Sequence, residues 1–290
     1  MVRLSLILPP KPDERWELAK QMGVTDVVIH PLEIGDGKTD WSYEDLLGTK
    51  NWLENDGLSF TVLEGSVPLS DRVRLGLEGR DEDLDVFKEF VRNCGRLDIP
   101  VVCYDWMAGV RWARTEAHIE ERGGSLATGF DLEKVSGGPQ SDAADVTHEQ
   151  LWEAYKYFIT EVGPVAEEAG VKLGLHPADP PREELRGIPR IATSVENYDR
   201  ILDMYDSEYH GVTFCQGNFT AMGADIPDAV QHFGDRINFA HFRDVRGDAD
   251  RFVETWHDNG PTDMQAAMDA FVDVGFDGPM RPDHVPTMAG

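Results

Sequence analysis

A chain of 290 residues, 41% of them apolar, is long enough for one large domain with a complete core. Its 54 acidic residues outnumber the 27 basic ones and leave a formal net charge of −27, which argues against a nucleic-acid partner because phosphates would be repelled over most of the surface. No apolar run approaches the ~18 residues of a membrane span, and the three cysteines form neither a CxxC pair nor an even-numbered disulfide framework.

The basic residues are mostly arginine, with only eight lysines, and the acidic ones are scattered rather than gathered in a tail. That pattern reads as a solvated surface adapted to high salt, which screens self-repulsion. The short apolar run after Met1 has no small-residue cleavage site behind it and is read as a buried strand, so the protein is expected in the cytoplasm.

Eight short β-branched or aromatic runs follow in chain order, at 4–8, 26–30, 59–65, 99–105, 171–177, 211–217, 237–244 and 278–284. Near-continuous apolar character is the mark of strands covered on both faces. Helical patterns separate most of them. Leu84, Phe87, Val91 and Cys94 share one helical face, as do Leu151, Tyr155, Phe158, Ile159 and Val162, and again Val195, Tyr198, Ile201, Leu202 and Tyr205. Capping boxes are expected at Thr147 with Gln150, Thr193 with Glu196 and Thr262 with Gln265. Strand alternating with helix predicts an α/β chain, a single (β/α)8 TIM barrel spanning 1–290. Two departures are visible: a long connection at 106–146, expected to form a lid, and no eighth helix after the last strand.

Active sites of such barrels lie at the C-terminal ends of the strands. The last four strands end on His176, Cys215, His241 and Asp283, each a metal-ligating residue type at similar depth. Side chains alternate across a strand, so Gly174 shares a face with His176, Thr213 with Cys215, and His241 with Arg243. If those faces point inward, two imidazoles, a thiolate and a carboxylate converge on one divalent metal such as Fe(II), Mn(II), Co(II) or Zn(II). A lone strand cysteine is more often a small buried hydrophobe, and a strand-end histidine more often a structural group. The agreement of all four is what favours a site.

Around it, Arg243 and Arg281 share strand faces with His241 and Asp283 and are the first candidates to fork onto a substrate carboxylate, with Arg190, Arg111 and Arg114 next. His257 follows the seventh strand on the active face, and His284 neighbours Asp283.

The runs GRDE at 79–82, VVCY at 101–104, RGG at 122–124, LGLHPADPP at 173–181, GIPRI at 187–191, AHFRDV at 240–245 and GPMRPDH at 278–284 together resemble the mannonate dehydratase family of xylose-isomerase-like barrels, in order and over nearly the whole chain. The acidic composition would make this a member of the haloarchaeal type. The resemblance implies dehydration of D-mannonate to 2-dehydro-3-deoxy-D-gluconate, with Mn(II) or Fe(II) held by His176, Cys215, His241 and Asp283. It also implies a small sugar acid as partner. By their positions at the barrel mouth, Asp283, His284 and His257 are the catalytic candidates, and a homo-oligomer is expected. Ala178 stands where the family has a second acidic residue, and Ser66 to Asp71 lacks the family's usual His-Glu pair. Family members carry a further Gly-Tyr segment and a final helix beyond this point. The outward faces of the first strand and Met280 are accordingly expected to be partly exposed. A sugar isomerase or epimerase on the same barrel, and a catalytically impaired sugar-acid-binding barrel, are the competing readings.

Overall fold

Fully buried strand residues and amphipathic helices leave one economical arrangement, a closed cylinder of strands inside a sleeve of helices. The computed structural model describes residues 2–30, 41–136 and 145–288. In it, eight parallel strands close into a barrel: β1 (Arg3–Ile7), β2 (Asp26–Ile29), β3 (Ser59–Glu64), β4 (Val101–Asp105), β5 (Lys172–His176), β6 (His210–Cys215), β7 (Ile237–Phe242) and β8 (Pro279–Pro282). Each expected run overlaps one of them, and β1 and β6 begin one residue earlier than expected, at Arg3 and His210. β8 pairs with β1 to complete the ring.

The pleat sorts the side chains into two cores. Outside, residues such as Val27, Leu63, Val102, Leu175 and Phe214 pack under the helices in one large apolar cluster. Inside, Val28, Val62, Val101, Cys103 and Phe239 fill the lumen. Gly174 belongs to the inner layer, where a Cβ would come within 2.5 Å of Thr213 Oγ1, so that position has no room for a side chain. Everything two residues beyond this inner layer therefore points into the mouth of the barrel.

The outer helices use the expected stripes. Phe87, Val91 and Cys94 on helix Arg80–Arg96 are buried, as are Tyr155, Phe158 and Ile159 on helix His148–Ala169. The capping box at Thr147 forms. The other two helices start one residue later than expected, at Ser194 and Asp263. The cause lies in the competing bonds of each threonine: Thr193 Oγ1 accepts from Asn197 Nδ2, and Thr262 Oγ1 donates to Asp244 Oδ1.

The 106–146 connection carries two strands, Glu116–Glu120 and Leu126–Asp131. They join a hairpin that the sequence did not reveal, Asp244–Gly247 with Arg251–Thr255, in a four-stranded antiparallel sheet. Phe130, Val245 and Phe252 give it a small core together with Leu185 and Ala221. Residues 137–144 of the expected lid lie outside the described residues.

On the opposite side, Leu4, Ile7, Leu18 and Met22 are exposed, but Met280 is 2% accessible. The expected exposure holds for the first strand and fails for Met280, which packs into the large outer cluster. Among the described residues no helix is long and apolar enough to cross a membrane.

Candidate metal centre and its charge network

Strand phase builds the site. His176 lies two residues beyond Gly174, Cys215 two beyond Thr213, and His241 two beyond Phe239, whose ring meets the imidazole edge-on at 4.8 Å between centroids. Register aligns them, with Cys215 opposite His241 and His241 opposite Arg281. The ligand atoms of His176, Cys215 and His241 all fall within 4.8 Å of one another, and all three residues are buried. Asp283 joins them from the end of β8: its Oδ2 is 3.9 Å from Cys215 Sγ and 3.6 Å from His241 Nδ1. Such edges suit atoms that each sit about 2.0–2.3 Å from a common ion.

Two observations fit a cation. Both ring nitrogens of His241 are buried without a hydrogen bond, a costly arrangement for an imidazole unless something else satisfies it. His176 Nδ1 lies 2.8 Å from the Pro177 carbonyl, which can only accept, so Nε2 is left with the lone pair.

The surrounding arginines are engaged with protein groups. Arg243 Nη1 donates to Glu254 at 2.6 Å, its Nη2 to Asn218 at 2.7 Å, and its Nε reaches Cys215 Sγ at 3.3 Å and Asp283 Oδ2 at 3.0 Å. A Cβ at position 217 would come within 2.6 Å of that guanidinium, which explains Gly217. Arg281 forks onto Glu64 at 2.8 and 2.6 Å and meets Asp283 Oδ1 at 2.9 Å. Arg114 bridges Asp179 and Glu254 at 2.5 and 2.6 Å. Arg190 donates to the backbone carbonyls of Pro180, Val110 and Arg111, and burial lowers its guanidinium to about 10. Arg111 has the loosest of these attachments, with Asp105 at 3.8 Å and a side chain 30% exposed. Next to it, Trp112 meets the His176 ring edge-on at 5.8 Å.

Burial acts to raise the carboxyls of Asp283, Glu64 and Asp179, but neighbouring guanidiniums overcome it. Arg281 holds Asp283 and Glu64, and Arg114 holds Asp179, well below the usual carboxylate range. All three are ionised at neutral pH. His284, at φ 46°, has Nε2 3.6 Å from Asp283 Oδ2. His257 stands farther out, with Nε2 2.7 Å from the Phe242 carbonyl and its ring stacked on Phe242. A cavity of about 500 Å³ reaches the site's edge at Arg281, Asp283 and His284.

Glu64, Asp179 and Glu254 were not among the residues singled out from the sequence. Reading β3 by the same strand-end phase would have found Glu64, which sits two residues beyond the inner-layer Val62. Asp179 lay in plain view in HPADPP. Glu254 had no such signal, because its hairpin was not foreseen.

The comparisons with known proteins agree with this fold. The family model described as D-mannonate dehydratase (UxuA) matches residues 14–143 and 140–290. A mannonate dehydratase of Enterococcus faecalis is 35% identical over 90% of this chain and 82% of its own length. Mannonate dehydratase 2 of Halalkalibacterium halodurans is 33% identical over 95% and 88%. The crystal structure of mannonate dehydratase from Streptococcus suis serotype 2 superposes with a TM-score of 0.92 at 32% identity, covering 100% of this chain and 87% of that one. A 3-keto-D-glucoside 4-epimerase from E. coli, at TM-score 0.67 and 12% identity, shares the fold alone. With the fold, the strand-end ligand types and these relatives in agreement, the chain belongs to the D-mannonate dehydratase family of α/β-barrel hydro-lyases.

Proposed function

We propose that the protein dehydrates D-mannonate to 2-dehydro-3-deoxy-D-gluconate, with His176, Cys215, His241 and Asp283 holding one divalent cation, Mn(II) or Fe(II). The observation that carries this reading is the convergence of three buried ligand atoms within 4.8 Å beside an ionised carboxylate. Charge supports it as well. Glu64, Asp179, Glu254 and Asp283 face the guanidiniums of Arg114, Arg243 and Arg281, leaving one uncompensated negative charge. A Cys215 thiolate would make it two, which a divalent cation cancels in a site with little water.

When bound, the cation supplies Lewis-acid polarisation of substrate oxygens. The chain's own groups do the rest. Arg111, the least committed to protein acceptors of the arginines around the site, forks onto the sugar-acid carboxylate and offsets the acidic field. Trp112 walls the substrate against His176. His284 takes the proton from C2. The electron pair left there forms the C2–C3 double bond as the C3–O bond breaks. The departing hydroxide takes that proton from His284 and leaves as water, and the enol transfers its hydroxyl proton to C3 to give the 2-keto acid. Asp283 orients the His284 ring across 3.6 Å, and His257 meets a substrate hydroxyl through Nδ1. Arg243, Arg281, Arg190 and Arg114 contribute through the shape and charge of the pocket.

Incubating the Mn(II)-loaded protein with a panel of aldonic acids, and assaying 2-keto-3-deoxy products, tests the activity. Turnover confined to D-mannonate is expected, and turnover of neutral sugars alone would overturn it. The remaining parts of the reading are a cytoplasmic location, supported by three free buried cysteines, and self-association, supported by exposed Leu4, Ile7, Leu18 and Met22. A monomer at all concentrations in sedimentation would refute the latter.

A further inference from the structure

The two histidines of the centre differ in what stands behind them. His176 has its proton fixed on Nδ1 by the Pro177 carbonyl. His241 instead has a carboxylate at each nitrogen: Asp283 Oδ2 lies 3.6 Å from Nδ1, and Glu64 Oε1 lies 3.2 Å from Nε2. A neutral imidazole carries one proton, so one carboxylate receives the N–H and the other shares the side of the lone pair.

The two carboxylates are not equivalent. Asp283 Oδ2 is also 3.9 Å from Cys215 Sγ, so it already belongs to the cluster of ligand atoms. Glu64 is committed elsewhere, because Arg281 Nε and Nη2 donate to its two oxygens at 2.8 and 2.6 Å. That fork fixes the carboxylate plane, and Oε1 retains a lone pair at N–H···O range from Nε2. Glu64 is 7% exposed, and its strand places it two residues beyond Val62, facing the lumen. As placed, the Glu64 contact is not aligned as a hydrogen bond, and among the described residues Nε2 is otherwise without a hydrogen-bond partner, so Oε1 at 3.2 Å is the acceptor within its reach.

We propose that Glu64, braced by Arg281, holds the Nε2 proton of His241, so that this ring offers Nδ1 to the cation while His176 offers Nε2. Glu64 is then a positioning residue that acts through His241, in the manner of a carboxylate–histidine–metal relay. The inference rests on the metal reading given above, and its test separates the two.

The protein, labelled with 15N-histidine, is loaded with 113Cd, and one-bond cadmium–nitrogen couplings are recorded. One ring should couple through Nε2 and one through Nδ1, and the Nδ1 coupling should vanish in His241→Gln. Coupling through Nε2 of both rings overturns this inference and leaves the metal reading standing. Absence of coupling to either histidine overturns the metal reading and the inference with it. In Glu64→Gln, a near-isosteric change, cadmium affinity should fall about 10- to 100-fold, the range for losing an outer partner of a metal-bound histidine. An unchanged affinity together with an unchanged His241 coupling pattern would remove Glu64 from the role.

Discussion

Arg243 Nε donates to Cys215 Sγ at 3.3 Å, from just past the end of β7 to the end of its neighbour β6, and both residues are buried. A guanidinium aimed at a sulfur treats that sulfur as an acceptor, which is the role a ligating cysteine needs. Cys215→Ala should therefore lower metal content sharply, read as metal per chain after dialysis, with the fold retained. Cys94→Ala should not, because Cys94 packs in the outer core on helix Arg80–Arg96. Equal occupancy in the two variants would contradict the site.

Glu254 is shared between Arg243 at 2.6 Å and Arg114 at 2.6 Å, and it is 1% exposed. Glu254→Gln keeps the shape but leaves two buried guanidiniums short of a counter-charge. Breaking a buried pair from one side costs about 3–5 kcal/mol. The urea midpoint should fall accordingly. Arg96→Ala, which breaks a pair half open to solvent, should leave the midpoint near its original value.

Arg111→Ala should raise the KM for mannonate by about tenfold or more, as expected for a lost charge-assisted bond of roughly 1.5–3 kcal/mol, with little change in melting temperature. Arg190→Ala should do the reverse, since Arg190 ties three backbone carbonyls together inside the fold. A destabilised Arg111→Ala with normal KM would move Arg111 out of the substrate pocket.

Much of this was readable from local pattern. Strand phase alone brings His176, Cys215 and His241 into one lumen, because a period of two leaves only one inward face once the apolar residues are placed. What sequence could not supply was the state of the arginines. Arg243, Arg281 and Arg114 read as free cations; the partners of Arg281 and Arg114, Glu64 and Asp179, come from strands and turns distant in the chain, and Arg243's partner Glu254 sits on the unforeseen hairpin. The hairpin that delivers Glu254 is short and carries charged residues at Arg246, Asp248, Asp250 and Arg251, so its alternation is faint. The helix starts missed at Thr193 and Thr262 fail because another side chain engaged the hydroxyl, Asn197 of the same helix in the first case and the distant Asp244 in the second.

The charge of −27 predicts that salt stabilises the protein. Counter-ions screen self-repulsion over about 10 Å at 0.1 M and about 3 Å at 1 M, so the melting temperature should climb from low to molar KCl. The buried network around Arg243 is insulated from salt, and the climb should persist in Glu254→Gln. A flat or falling profile would remove the reading of a surface adapted to high salt.

His210 offers the clearest pH test, because it sits at the start of β6, at the opposite end of that strand from Cys215, and is fully buried. Its Nδ1 donates to the Tyr205 carbonyl, and its Nε2 meets the Tyr155 hydroxyl at 2.9 Å, which in turn meets Tyr104. Burial, the dominant effect, lowers the imidazole to about 4 despite the opposing help of the Tyr205 carbonyl. In the unfolded chain it titrates at the ordinary imidazole value of 6.5. Between these two values the unfolded state binds more protons than the folded one, so stability is intact above 6.5 and is lost as pH falls toward 4. The ceiling for one such group is about 3 kcal/mol, from roughly 1.36 kcal/mol per pH unit. His210→Gln should lower stability at pH 7 through the Tyr155 bond yet flatten the slope of urea midpoint against pH between 6.5 and 4.5. The carboxylates held low by Arg281 and Arg114 do not interfere, since their unfolded values lie near 4 and their contribution is lost only below that. An unaltered slope in the variant would mean that the buried imidazole is not the group the unfolded chain protonates in this window.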